Sequence, residues 1–147
     1  MIRPYQHTDE PALLQLLRLN TPTYFDPSEE ADFIDYFANE LDLYFVYETK
    51  GQLLACGGLN RFPEENLAHI SWDMVHPDTQ GKGVGKALTQ YRIAAAKALP
   101  NMHSLVVRTS QHAFGFYEKC GFSTQYTKKD YWAPGFDLYY MTMSLLH

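Results

Sequence analysis

A chain of 147 residues fits one domain, expected here over residues 1–147, and can bury a sizeable core without disulfides or metals. Hydrophobic residues make up 46%, charged residues 20% and aromatic residues 15%, a folded globular composition that excludes a disordered chain. A formal charge of −5, a pI near 5.6 and only 12 Lys plus Arg exclude a partner held mainly through phosphates, so no nucleic acid is expected.

No apolar run approaches the roughly 18 to 20 residues that span a bilayer, and Met1-Ile2-Arg3-Pro4-Tyr5 lacks the apolar core of a signal peptide. A cytoplasmic protein without a membrane partner is the expectation. Cys56 and Cys120 stand far apart and read as small core residues. The histidines at 7, 69, 76, 103, 112 and 147 show no ligand spacing, so no metal is assigned.

In chain order, residues 2–5 are a short strand, and Thr8 then caps a helix with Pro11 in its first turn and leucines 13, 14, 16 and 17 toward a core. Thr21-Pro22-Thr23 and Asp26-Pro27 break the chain, and Ser28 starts a second helix with Phe33, Ile34, Phe37 and Leu41 at helical spacing. Residues 43–49 and 53–59 are β-rich runs separated by Lys50-Gly51, the spacing of an antiparallel hairpin. Residues 67–75 continue the meander. The next helix carries Val84, Ala87, Leu88, Tyr91, Ala94, Ala95 and Ala98 on one face and stops at Pro100. Residues 103–109 read as a buried strand, Ser110 as an N-cap, residues 111–119 as a short helix ended by Gly121, and residues 122–127 and 136–145 as closing strands. With no linker or repeat, this order predicts an α/β (α+β) domain in which helices flank a mixed sheet.

The informative segment is Val75-His76-Pro77-Asp78-Thr79-Gln80-Gly81-Lys82-Gly83-Val84-Gly85-Lys86-Ala87. Its glycines let the backbone turn tightly and approach a ligand, and the following helix N-terminus favours an anion such as phosphate. The spacing is neither that of a Walker loop nor that of a dinucleotide fingerprint, which disfavours a nucleotide-binding domain. Glycines alone could equally make a turn that binds nothing.

Gln80, Gly83 and Gly85 form Q-x-x-G-x-G, which resembles the acetyl-CoA signature of the GCN5-related N-acetyltransferase (GNAT) superfamily. A second segment, with Phe116-Tyr117-Glu118-Lys119-Cys120-Gly121-Phe122 at its end, is similar to that superfamily's second conserved helix and following strand. With the element order, the resemblance covers nearly the whole chain. It implies a GNAT fold, a mixed and mostly antiparallel sheet of about six to seven strands flanked by about four helices. It also implies acetyl-CoA as acyl donor and a small-molecule or peptide amine as acceptor. Coenzyme A would meet Gln80, Gly81, Lys82, Gly83, Val84, Gly85 and Lys86 through its pyrophosphate. Its pantetheine and acetyl groups would meet the backbone near Met74 and Val75, with Ser110 and Tyr117 as further contacts.

By the same resemblance Tyr117 lies beside the coenzyme sulfur, where a phenol can protonate the departing thiolate; the other reading is a tyrosine packed in the core. The candidate bases are His69, which falls near the catalytic glutamate of histone-acetylating relatives, and Asp73. Strict alternation puts both with Ser71 on one strand face, while a β-bulge, frequent here among relatives, would move Asp73 to the other. A half-exposed strand histidine without a catalytic role is the other reading of His69.

Between Arg18 and Lys50 there is no Lys or Arg, while Asp26, Glu29, Glu30, Asp32, Asp35, Glu40 and Asp42 fall in that interval. In the superfamily this region walls the acceptor site. Glu29 and Asp32, with Tyr24 and Phe25, are therefore candidate contacts for a cationic acceptor, or else part of a solvated helix face. Trp132, in Tyr131-Trp132-Ala133-Pro134-Gly135-Phe136-Asp137, is a candidate second wall or a packing residue. A homodimer through late strands is a further expectation from the resemblance. The alternative function is a non-catalytic acyl-CoA-binding or sensor domain of the same fold.

Overall fold

The computed structural model describes residues 1–146, so His147, the last of the histidines and of the expected domain, lies outside the described residues. Seven strands and four α-helices follow in the order β1 (Ile2–Pro4), α1 (Glu10–Leu19), α2 (Glu29–Asn39), β2 (Leu43–Thr49), β3 (Gln52–Phe62), β4 (Leu67–Val75), α3 (Val84–Ala98), β5 (Ser104–Thr109), α4 (Phe114–Lys119), β6 (Ser123–Ala133) and β7 (Phe136–Ser144). The strand order is β1-β2-β3-β4-β5-β7-β6. β4 and β5 run parallel, whereas β1/β2, β5/β7 and β6/β7 are antiparallel, which makes the sheet mixed, as the chain order predicts. Among the described residues no helix is long and apolar enough to cross a membrane.

The described residues group into two compact units, Met1–Gly58 with Trp72–Thr89, and Leu59–Ser71 with residues 90–146. In the first unit, Leu13, Leu16 and Leu17 of α1 and Phe33 and Tyr36 of α2 bury against Tyr44, Val46, Cys56 and Met74. The i, i+3, i+4 spacing of the leucines gives α1 one apolar stripe. Phe45 and Tyr47, the alternate positions of β2, pack instead with Ala55, Val84 and Leu88, so β2 carries a core on each face. Phe33 is fully buried, and truncating it to alanine should cost about 3–5 kcal/mol. The β2–β3 turn is Lys50-Gly51, both at positive φ (51° and 78°), the two-residue hairpin geometry expected from the sequence.

Thr8 does not cap α1. It sits in a 3₁₀ turn (His7–Asp9), and Asp9 does the anchoring: its carboxylate accepts the Gln6 amide at 2.8 Å and a fork from Arg3 at 2.9 Å on each oxygen. Arg3 Nε also donates to Glu48 at 3.0 Å, which ties β1 to the end of β2. Asp9 answers better than a hydroxyl because its buried carboxylate meets a guanidinium and a backbone donor together.

In the second unit Leu105, Val106 and Val107 are buried in succession, as a parallel strand covered on both faces should be. β3 and β6 outrun their sequence-based bounds. β6 is the last strand of the order and is exposed from Ser123 through Tyr131, so no core-facing alternation marks it in the sequence. The helix expected over residues 111–119 starts only at Phe114. Ser110 caps the turn before it, with its hydroxyl accepting the His112 amide at 3.2 Å. Gln111 is committed elsewhere, donating to Gly135 O at 2.6 Å and accepting from Asp137 N at 2.9 Å on the β6–β7 hairpin.

Candidate active site

β4 ends at Val75, and one 3₁₀ turn (Pro77–Thr79) leads into the glycines. His76 holds that turn. Its Nδ1 accepts the Asp78 amide at 3.1 Å, and its carbonyl accepts both the amide and the hydroxyl of Thr79 at 2.9 Å. Gly81 and Gly83 then take φ of 81° and 86°, conformations that side chains rarely adopt. Gly83 O accepts the Ala87 amide at 3.0 Å, so Gly83 is the last residue before the helical ladder. The first-turn amides of a helix have no partner within it, and here they open the 15-residue α3. A Cβ built on Gly81 or Gly83 would meet nothing within 4 Å, so the space over the turn is open. Exposed Lys82 and Lys86 flank it. Amide donors, helix dipole and two ammonium groups together make a cradle suited to phosphates.

The turn is tied to the α1–α2 connection. Tyr24 donates its hydroxyl to Gln80 Oε1 at 3.0 Å, which places one expected acceptor-side residue on one expected coenzyme-side residue. Asn20, absent from the sequence-based candidates, is 3% exposed and donates its amide to Leu16 O at 2.9 Å and Val75 O at 3.1 Å. It clamps the end of α1 to the end of β4. Its position after a helix suggests a C-cap, but nothing local announces the bond to Val75. Met74 is buried in the α1–α2 cluster and Val75 packs toward α3. Phe25 stacks on Trp72 at 6.1 Å between ring centroids, and Phe33 lies against the same indole at 5.0 Å.

The acidic stretch is not a uniform wall. Glu29 is buried, its carboxylate accepts the Asp26 amide at 2.8 Å, and burial foremost raises its pKa. Asp26 accepts both the amide and the hydroxyl of Ser28, so the two acids cap α2, while Ser28 donates rather than accepts. Glu30 pairs with Arg18 at 2.8 Å. Asp32 remains exposed on the first turn.

Trp72 has φ of 50°, an outlier for a bulky residue, so the alternation of β4 breaks there. Asp73 therefore does not continue the row begun by His69 and Ser71. His69 is half-buried with its ring 4.9 Å from that of Phe62, and Ser71 donates to Asn60 at 2.7 Å. Burial first, and the positive charge of Arg108 second, lower the pKa of His69, which favours the neutral imidazole. Trp132 donates its indole N–H to Thr109 O at 3.1 Å, and Arg108 lies over the rings of Tyr131 and Trp132. Arg108 also escaped sequence reasoning, although a charge directly after the buried Leu105–Val107 run was a usable signal. Tyr117 is 4% exposed, with its ring edge-on to Phe116 at 5.1 Å and to Phe122 at 5.8 Å. Among the described residues no group of three or more His, Cys, Asp or Glu could hold a metal ion.

A mixed sheet in which one strand passes through an open glycine turn into a helix N-terminus defines an α/β protein whose turn has the chemistry to meet an anion. Residues 11–122 match the acetyltransferase (GNAT) family, and the chain belongs to it. An amino-acid acetyltransferase of Mannheimia succiniciproducens is 32% identical over 82 residues, which cover 54% of this chain and 18% of that protein. Matches to further amino-acid acetyltransferases likewise cover only 18% to 24% of those proteins. The Escherichia coli ribosomal-protein-S18-alanine N-acetyltransferase superposes with a TM-score of 0.83 at 21% identity, covering 100% of this chain and 94% of that one. An aminoglycoside 6'-N-acetyltransferase complexed with coenzyme A gives 0.81 at 13% identity, covering 100% and 98%. At these identities the structures share the fold.

Proposed function

We propose that this chain transfers the acetyl group of acetyl-CoA directly to the amine of a small acceptor. The observation that carries this reading is the α3 N-terminus behind Gly81 and Gly83, with open space over both glycines. The pyrophosphate of the coenzyme would take the amides of Gly81 and of Gly83 to Gly85, since those of Gln80 and Lys82 donate to Pro77 O and Thr79 O within the turn, with the Lys82 and Lys86 side chains at its edge. Met74 and Val75 would offer backbone groups to the acyl end, and the Asn20 clamp on Val75 O holds that backbone in place. Family membership supports acetyl-CoA as donor.

For reaction the acceptor must be a free amine, so its ammonium first gives up a proton. His69, kept neutral by burial and by Arg108, is the side chain assigned to accept it. The amine nitrogen then attacks the thioester carbonyl, the carbon–sulfur bond breaks, the leaving sulfur takes a proton from the Tyr117 hydroxyl, and the second proton shed by the acylated nitrogen passes to solvent, from which the Tyr117 phenolate is reprotonated. Phe116 and Phe122 restrict the Tyr117 ring, which suits a donor that must not reorient between turnovers. Asp73 is the weaker base candidate because the turn of the strand at Trp72 separates it from the His69 row.

The test follows free CoA release and acetylated product across primary amines, amino acids, aminoglycosides and peptides. At least one amine should give product in step with CoA. Coenzyme binding with no release above hydrolysis for any amine would favour an acyl-CoA-binding module instead.

A further inference from the structure

We propose that Arg108 binds a carboxylate of the acceptor, so that the acceptor is an amino acid or another molecule bearing an amine next to a carboxylate. This inference rests on the acetyltransferase reading above. Arg3 is forked onto Asp9 and also bonded to Glu48, and Arg18 is paired with Glu30. Among the described residues Arg108 has no carboxylate partner. It stands at the end of β5 with its guanidinium 5.2 Å from the Tyr131 ring centroid and 5.4 Å from that of Trp132, and it donates Nη2 to the Tyr131 hydroxyl. The Tyr131 hydroxyl takes one Nη2 donor, and the remaining donors of the guanidinium fork are enough to meet a carboxylate with two hydrogen bonds.

The seat is built rather than incidental. Trp132 is fixed by its indole bond to Thr109 O, and the hairpin tip is fixed by Asp130 Oδ1 on Gly135 N and by the two bonds of Gln111. The two hairpin carboxylates, Asp130 and Asp137, are turned to backbone amides. Lys128 lies over the same Tyr131 ring at 5.8 Å, so two cations share one aromatic group in a chain of net charge −5. That local reversal of sign favours an anionic group.

The position suits an amine beside the carboxylate. β4 and β5 run parallel with His69 opposite Val106, and Arg108 is two residues further along β5 on the same face. An amino acid whose carboxylate rests on Arg108 therefore presents its amine toward the imidazole assigned to receive the proton.

The experiment compares full-chain protein and its Arg108→Gln and Arg108→Lys variants on matched acceptor pairs: glycine and glycinamide, L-alanine and L-alaninamide, L-glutamate and L-isoglutamine. Loss of a paired charge-assisted contact should raise KM for the acids roughly ten- to hundredfold in Arg108→Gln. The KM for the amides should move by less than about threefold, any change in kcat that follows from losing the Arg108 charge beside His69 should fall on acids and amides alike, the acetyl-CoA KM should hold, and Arg108→Lys should recover part of the loss. If Arg108 only packs on the hairpin, both members of each pair weaken together, and that result overturns the inference. Turnover of amides and simple amines without preference for the acids overturns it too and leaves the acetyltransferase reading standing. CoA release with none of the amines overturns both.

Discussion

Replacing Gly83 by alanine separates the cost of the turn from its use. At φ of 86° an L-residue pays for a left-handed backbone, about 1–2 kcal/mol, while the added methyl meets no protein atom within 4 Å. For a chain of this length that predicts a fall in Tm of about 2–8 °C. The same methyl stands in the open space over the α3 N-terminus, where a phosphate oxygen would take a backbone amide. Losing one charge-assisted hydrogen bond there should raise the Kd for coenzyme A roughly ten- to hundredfold. Gly51→Ala is the matched control, since Gly51 has φ of 78° and equally open surroundings but lies in the β2–β3 turn. Thermal melts should show similar losses for both variants, and calorimetric titration with coenzyme A should show a weakened Kd only for Gly83→Ala. Gly83→Glu, which adds a negative charge, should abolish binding in a folded protein. Parental affinity in folded Gly83→Ala and Gly83→Glu would refute the cradle.

Tyr117→Phe keeps the ring against Phe116 and Phe122 and removes the proton, so kcat should fall at least about tenfold with acetyl-CoA Kd unchanged; parental turnover with chemistry rate-limiting would remove it from the mechanism. Asn20→Ala strands the carbonyls of Leu16 and Val75, which should cost about 1–3 kcal/mol in a thermal melt and raise the acetyl-CoA KM. An unchanged KM would limit Asn20 to the fold. The folded pKa of His69 lies below its ordinary 6.5, so the unfolded chain binds the proton more tightly. Stability from this group is complete above pH 6.5 and declines as pH falls from there through the folded pKa, a slope that denaturant titrations should find flattened in His69→Gln.

Local chemistry was enough for the parts of this protein whose cause lies within a few residues. The Lys50-Gly51 hairpin, the leucine stripe of α1 and the glycine turn before α3 each follow from backbone freedom or from one helical period, and the structure has them where the spacing puts them. The two signatures also carried the family, because Gln80, Gly83 and Gly85 and the segment around Tyr117 are contiguous patterns.

Tertiary structure decided what depends on partners far along the chain. Asn20 finds Val75 across 55 positions, and Gln111 leaves the expected helix because its amide serves Gly135 and Asp137, 24 and 26 residues away. Glu29 looks like one of a row of surface acids until α2 is seen to bury it against the Asp26 amide. Trp72 breaks the β4 alternation while its indole packs among Phe25, Phe33 and Tyr36, an aromatic group drawn from three parts of the chain. Arg108 reads as a charge at a strand end, and only folding brings Tyr131 and Trp132 beneath it, 23 and 24 positions later. Spacing in a sequence sets which backbone conformations are cheap; which polar group meets which partner is decided only when distant elements pack and water leaves.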